Sequence, residues 1–331
     1  MSYIGANNLD DLMRKVFDLL LDGKKRVVAT KGSTFEEFGV TLGLRNPRFR
    51  VSRAESRQIL ISCLGELLWY LSGSDDLSHI KYYLPRYDKS AEEDGRIHGA
   101  YGPRLFNSNG TNQIEAAINI LKRKGSSRRV AIQLFEARDL LSDYKDIPCT
   151  CTMQFMIRKN RLNMMVFMRS NDAYKGLPHD IFAFTMLQEM VARTLGVELG
   201  NYKHAIGSLH LYEADAEKAK SYLNEGFQDA RPMPPMPLGD PWGSVKALLM
   251  AERDIRASGD LNVDTQELDN YWVDLIKILQ AFAALKGRNI QRIKEIKSSM
   301  SSSFYGTYMN KVEKSAIPRQ VQSEFSFGEV N

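Results

Sequence analysis

The sequence is short of the features that would place it in a membrane, a disulfide scaffold or a zinc protein. No stretch reaches the roughly 18 consecutive apolar residues of a transmembrane helix, and Met1 to Asp11 lacks the charged-then-apolar leader of a secretory signal. A cytoplasmic location, away from membranes, is the expectation. The three cysteines, Cys63, Cys149 and Cys151, are too few and too oddly numbered for a disulfide framework. No histidine and cysteine group has zinc-ligand spacing, so no metal is expected. Charge of one sign is missing too: 45 basic and 40 acidic residues lie interspersed, and a net charge of +5 is mild for a nucleic-acid-binding domain. Internal repeats are absent.

What is present suits a globular protein, since 331 residues with 43% apolar and 26% charged side chains can bury a full core. Leu9, Leu12, Val16, Leu19 and Leu20 recur at helical spacing, with Asp10 and Asp11 in the first turn and Gly23 as a stop, which predicts an opening amphipathic helix over 8–23. The run from Arg57 to Ser72 is apolar almost all round and reads as a buried helix. Glu66 stands inside it, where a carboxylate is costly unless paired, hydrated or chemically used.

From Tyr83 to Asn112 the chain turns polar and glycine-rich, predicting long loops around a site. Ile114 to Leu121 reads as a helix. RRVAIQLF, TMQFMIRKN and RLNMMVFMRS read as strands, the last two joined at Lys159 and Asn160. Pro178 to Leu195 returns to helix. Five prolines between Arg231 and Gly243 mark the best boundary, giving a domain over 1–230 and, over 231–331, a proline-rich connection with a helical extension. In that extension Asp264 and Glu267 form a capping-box pattern ahead of Leu268, Trp272, Leu275, Leu279 and Phe282 on one helix face, ending near Gly287. The last 30 residues are Ser-rich and are expected to be partly disordered.

Several residues are candidates for chemistry. Cys149 follows Pro148 just before a strand, where a thiol can be presented, although a lone cysteine is more often a small buried hydrophobe. Cys151, two residues on, shares a strand face with it, and residue types alone do not separate the two. Arg128 and Arg129 follow two serines, and Arg169 with Ser170 ends an apolar strand; an arginine fork beside a hydroxyl suits phosphate oxygens, against the commoner reading of solvated surface arginine. Asp172, Gly176, Pro178 and Asp180 share a loop that opens a helix, where a glycine permits close approach to a ligand and a carboxylate is often only a cap. His210 and Tyr212 alternate as on a strand face and can bond a sugar or each other.

Together these pieces resemble the thymidylate synthase family, including its deoxycytidylate hydroxymethylase branch. The resemblance covers roughly residues 10 to 215 through six motifs in matching order: GELLWYL (65–71), YG (101–102), SRR (127–129), PC with QF five residues after the cysteine (148–155), RSND..KGLP.D (169–180) and HLY (210–212). It implies an α+β fold, a mixed β-sheet with packed helices, followed here by a C-terminal helical extension. It implies that Cys149, rather than Cys151, adds to C6 of a pyrimidine nucleoside monophosphate so that C5 can attack 5,10-methylenetetrahydrofolate. Glu66 then corresponds to the buried carboxylate that organises water and protons, Tyr101 to an active-site tyrosine, and His210 and Tyr212 to the sugar 3'-hydroxyl ligands. Arg169, Ser170, Arg128 and Arg129 correspond to phosphate ligands, the last two supplied across a homodimer interface. Asp172, with Gly176 and Tyr87, belongs to the folate side.

The departures bear on the reaction. Family synthases acting on uracil carry Asn where this chain has Asp180, and a carboxyl group suits cytosine, accepting from the 4-amino group and, when protonated, donating to N3. Thr150 replaces a histidine after the nucleophile. Tyr87 and Ser90 stand in place of two tryptophans that shield the one-carbon intermediate, and less shielding lets water capture it. The expected reaction is therefore folate-dependent hydroxymethylation of dCMP or CMP, with thymidylate-synthase-type methylation of dUMP as the alternative. A non-catalytic nucleotide- or RNA-binding relative is the rival from another class, and retention of both Cys149 and Glu66 argues against it. The family's N-terminal phosphate loop is poorly matched in VVATKGSTFEEFG, where Lys31 or Arg26 would have to substitute, and the short apolar C-terminal tail of the synthases is replaced by unrelated sequence.

Overall fold

Asn8 starts the first helix by accepting a hydrogen bond from the Asp11 amide. Helix α1 (Leu9–Asp22) buries Leu9, Leu12, Val16, Phe17 and Leu20 along one stripe and ends at Gly23, as the spacing predicts. The computed structural model describes residues 2–23, 26–29, 32–57, 59–259 and 265–317. Their contacts form two compact units, Met1–Pro241 and Trp242–Asn331.

In the first unit the described residues form one mixed sheet of seven strands: β1 (Ser2–Ala6), β2 (Arg26–Ala29), β3 (Gly32–Leu44), β4 (Ala131–Gln133), β5 (Thr150–Arg158), β6 (Arg161–Asp172) and β7 (Glu198–Tyr212). The order is β1-β3-β7-β6-β5-β4, with β2 beside β3; β1 with β3 and β6 with β7 run parallel, and the other pairs antiparallel. Lys159 and Asn160 join β5 to β6 with φ of 50° and 56°, the backbone of a two-residue hairpin turn whose twist matches the strands. Arg26–Ala29 and Gly32–Leu44, in the stretch that matches the family's N-terminal phosphate loop poorly, form β2 and β3.

Strand β6 shows how the sheet is used. Leu162, Met164, Val166 and Met168 are buried, while the alternating Met165, Phe167 and Arg169 are exposed. The remaining helices of this unit are α2 (Leu60–Leu71), α3 (Leu77–Tyr83), α4 (Tyr101–Phe106), α5 (Gln113–Arg123), α6 (Leu177–Thr194) and α7 (Ala216–Asn224). Helix α6 packs on α2, β6 and β7, so it is buried nearly all round, which explains its continuous apolar run. Helix α4 interrupts the long loops expected between Tyr83 and Asn112.

Arg50 and Glu189 form an ion pair with both side chains almost fully buried. Glu189 Oε1 also accepts from the Met236 amide at 3.1 Å, Arg193 Nε donates to the Met236 carbonyl at 2.8 Å, and the Met233 amide donates to the Arg48 carbonyl at 2.8 Å. The proline-rich segment is thus hydrogen-bonded into the first unit. Prolines lack amides for a ladder, so it runs extended and bonds through the residues between them.

The second unit contains α8 (Trp242–Ser258), α9 (Asn270–Lys286), α10 (Ile290–Ser299) and α11 (Gly306–Ala316). Asp269 caps α9, accepting from the Tyr271 amide at 2.8 Å, with Trp272, Leu275 and Leu279 on its buried face. The expected capping box is corrected accordingly: Asp264 lies outside the described residues, and Leu268 precedes the helix. The expectation of disorder over the last 30 residues is corrected for 306–316, where Tyr308, Met309 and Val312 give α11 a buried face that the serine-rich composition hides; 318–331 lie outside the described residues. Among the described residues no helix is long and apolar enough to cross a membrane.

Glu189→Ala would leave the Arg50 guanidinium buried without its counter-charge. A loss of about 3–5 kcal/mol is expected, read as a lower urea midpoint; a loss under about 1 kcal/mol would show that the pair is hydrated.

Candidate active site

The start of β5 and the end of β6 meet at Cys149. The Arg169 amide donates to the Cys149 carbonyl at 2.9 Å, its Nε donates to the Pro148 carbonyl at 2.9 Å, and its Nη2 donates to the Ile147 carbonyl at 3.0 Å and lies 3.8 Å from Cys149 Sγ. One arginine therefore shapes the loop and sets a positive charge at a half-buried thiol. The pairing of β5 with β6 shifts register between Thr150 and Thr152, so Cys151 falls in an irregularity and its carbonyl accepts from the Leu134 and Phe135 amides. The expected two-residue equivalence of Cys149 and Cys151 does not hold, because a bulge breaks the alternation. Burial pushes the Cys151 thiol up, and pushes the fully enclosed Cys63 thiol up much further, with the negative charge of Glu66 adding to it.

Trp69, Tyr70, Tyr87, Gly99 and Tyr101 line a pocket with Cys149. Tyr87 donates to Glu66 Oε1 at 2.6 Å, while Glu66 Oε2 is buried with no partner among the described residues. The Tyr101 hydroxyl accepts from the Thr150 amide at 3.1 Å and bonds Thr150 Oγ1 at 2.9 Å, and its ring packs on Tyr70. Burial raises the Tyr101 phenol well above its ordinary range, so the group keeps its proton. An aromatic wall, a carboxylate with a free acceptor and a protonated phenol thus surround the thiol.

Asp180, in the first turn of α6, accepts from Asn171 Nδ2 at 2.9 Å through Oδ2. Burial raises its carboxyl well above the carboxylate range, and the negative charge of Glu66 raises it further, which favours the protonated form of Asp180. A Cβ at Gly176 would stand 3.5 Å from both Asp180 Oδ2 and Asn171 Oδ1 and 3.3 Å from the Asp172 carbonyl, so the glycine leaves this corner open. Asp172 Oδ1 accepts from the Tyr174 and Lys175 amides at 2.9 Å each, closing the turn before α6.

Parallel pairing of β6 and β7 sets Asp172 beside His210 and Ser170 beside Ser208. His210 and Tyr212 project half-buried with their rings edge to face at 5.2 Å. The Tyr212 phenol is raised by burial, with smaller contributions from Asp172 and Cys149, which ties it to the same site. Arg128 and Arg129 are not brought there. They precede β4, whose Ala131 pairs with Gln154, so they lie roughly 20 Å along the sheet from Cys149 and are exposed. Arg26 pairs with Glu213 at 3.1 Å, and Lys31 lies outside the described residues.

Tyr202, His204 and Arg57 are among the buried polar residues that escape the motif reading. The first two interrupt the apolar alternation of β7, which is the signal that would have found them. Arg57 lies 4.3 Å above the Tyr174 ring and donates to its carbonyl. Among the described residues no group of three or more His, Cys, Asp or Glu side chains is arranged to hold a metal.

A thiol beside a guanidinium, walled by aromatics and served by two buried carboxyl groups, is the arrangement of an enzyme that works through a covalent cysteine adduct. The thymidylate synthase family model matches residues 9–271, and the chain belongs to the thymidylate synthase family. Members of that family are one-carbon transferases that use methylenetetrahydrofolate as co-substrate and act at C5 of a pyrimidine nucleotide.

The environments of the three thiols predict an order of alkylation. Cys149 is expected to label first with iodoacetamide at neutral pH and Cys63 only after unfolding, with Arg169→Gln slowing the first reaction by roughly 3- to 10-fold. Peptide mass mapping checks this, and faster labelling of Cys151 than of Cys149 would contradict it.

Proposed function

We propose that this protein transfers a one-carbon unit to C5 of a cytosine nucleoside monophosphate, dCMP or CMP, and releases the 5-hydroxymethyl nucleotide. The observation that carries the reading is the buried Asp180 carboxyl in the first turn of α6, bonded through Oδ2 to Asn171, where burial favours its protonated form. Such a group donates one hydrogen bond and accepts another, which is what N3 and the 4-amino group of cytosine require. A mismatched base would leave buried polar atoms unpaired, and discrimination of this kind reaches about 10⁴-fold.

Cys149 Sγ, with the Arg169 guanidinium as counter-charge, adds to C6 and pushes the ring electrons to C5. C5 bonds to the one-carbon unit, which methylenetetrahydrofolate supplies when bound. Tyr87, Asp172 and Gly176 are the residues we assign to its side of the pocket, where the aromatic wall suits a flat bicyclic ring. Loss of the C5 proton, with cleavage of the bond between the one-carbon unit and the folate nitrogen so that tetrahydrofolate departs, leaves an exocyclic methylene on the pyrimidine. Water adds to that carbon as the sulfur leaves C6, which gives the hydroxymethyl group and returns the thiolate. Glu66 Oε2, an acceptor without a partner among the described residues, is suited to hold that water, and the Tyr87 hydroxyl fixes the other oxygen.

Arg169 and Ser170 take the phosphate, and His210 and Tyr212 take the sugar hydroxyl. Arg128 and Arg129 serve the phosphate of a second copy in a homodimer. Their exposure and distance from their own thiol support that arrangement, as does an exposed sheet face bearing Met165 and Phe167. The cytoplasm, where such nucleotides and folates meet, is the proposed location.

Tritium release from C5-labelled dCMP, CMP and dUMP, with and without methylenetetrahydrofolate, tests the reading. Cytosine nucleotides are expected to exchange, Cys149→Ala to lose about 10³-fold or more, and Asp180→Asn to shift preference toward dUMP. Exchange of dUMP alone would overturn the base, and a methylated product with dihydrofolate would overturn the fate of the carbon.

A further inference from the structure

A neutral carboxyl group has a weakness as a reader of bases. One oxygen carries the proton and donates, the other accepts, and the proton can sit on either. Cytosine presents an acceptor at N3 and a donor at the 4-amino group; uracil presents a donor at N3 and an acceptor at O4. An Asp180 free to move its proton would pair with both. Choosing one base requires something that decides which oxygen is protonated.

Asn171 is positioned to decide it. Its Nδ2 lies 2.9 Å from Asp180 Oδ2, 2.8 Å from Met168 Sδ and 3.5 Å from His204 Nε2, while its Oδ1 is buried with no partner among the described residues. A thioether sulfur accepts and never donates, so the NH₂ end of the amide faces Met168 whatever the protonation of its other neighbours. The same NH₂ therefore presents a donor to Asp180 Oδ2. Behind it, His204 Nδ1 lies 2.8 Å from the Tyr202 hydroxyl, and both residues are wholly enclosed. Burial holds the His204 imidazole down to about 3, so it is neutral, and in the tautomer that directs Nδ1–H to the Tyr202 hydroxyl its bare Nε2 faces the NH₂ end of the amide and favours that orientation.

We propose that the Asn171 amide, oriented by Met168, His204 and Tyr202, keeps Asp180 Oδ2 an acceptor and so confines the acid proton to Oδ1, making Asp180 read one pyrimidine instead of two. Asn171, His204 and Tyr202 are positioning residues for base choice. The inference rests on the reading of Asp180 as the base-facing acid. With cytosine, Oδ1–H donates to N3 while Oδ2 accepts from the 4-amino group. The uracil pairing would put the proton on Oδ2, directly against the Asn171 donor.

The test compares kcat/KM for C5 tritium release from dCMP and dUMP in the unaltered protein and in Asn171→Leu, Asn171→Ser and His204→Leu. Equilibrium binding of both nucleotides gives the same ratio independently of turnover. Asn171→Ser keeps a small polar group that either donates or accepts, so it loosens the lock without leaving the carboxyl unpartnered, and it serves if the leucine variant does not fold. The base ratio is expected to fall about tenfold or more in both Asn171 variants, because use of the rejected base rises while that of the preferred base drops. His204→Leu should shift it less, in the same direction. Equal losses for both bases, an unchanged ratio, or no discrimination in the unaltered protein would overturn the proposal. An unaltered protein that prefers dUMP would instead overturn the cytosine reading, with the change of ratio still deciding on the lock.

Discussion

The contact on which the site depends is the one between the end of β6 and the start of β5. The Arg169 amide and guanidinium together satisfy the carbonyls of Ile147, Pro148 and Cys149, three acceptors that an irregular strand entrance would otherwise leave without a ladder partner. The same guanidinium ends beside the sulfur. Loop geometry and charge compensation thus come from one side chain, and the reactive group cannot be moved without unmaking backbone bonds. The bulge at Thr150 and Thr152 completes the device, turning Cys151 out of the alternation.

Behind the thiol the structure keeps two carboxyl groups out of water. Glu66 is held by Tyr87 and Asp180 by Asn171, and burial together with the charge of Glu66 raises the Asp180 carboxyl well above the carboxylate range. Two nearby buried carboxyl groups do not share the same ionisation state cheaply. In the proposed reaction one of them handles protons and water and the other recognises the base, although the two residue types look alike in the sequence. The Arg50–Glu189 pair and the clasped proline-rich segment brace α6, the helix that carries Asp180.

Much of this is legible in the sequence where a local pattern has a single physical meaning. Helix α1 reads from its stripe and its cap, the β5–β6 turn from Lys159 and Asn160, and the burial of Glu66 from the apolar run around it. Strands β1, β2 and β3 are not legible, because their pairing partners are distant and their alternation is mixed. Helix α11 is hidden by serines that lie outside its buried face. At the site, Cys149, Glu66, Tyr101 and Asp180 are found by motif, whereas His204 and Tyr202 make sense only once β7 is laid against β6. Arg128 and Arg129 read as phosphate ligands, yet within one chain they lie far from the thiol.

The central claim is that Cys149 forms a covalent bond to C6 of a pyrimidine nucleotide while C5 accepts carbon. A 5-fluoro nucleotide tests it most directly, because fluorine at C5 cannot leave as a proton and the adduct should persist. Incubation with 5-fluoro-dCMP and methylenetetrahydrofolate is expected to add the mass of nucleotide and folate to the peptide containing Cys149, and to add nothing in Cys149→Ala. A stable adduct on Cys151, or no adduct with any 5-fluoropyrimidine nucleotide, would contradict the account.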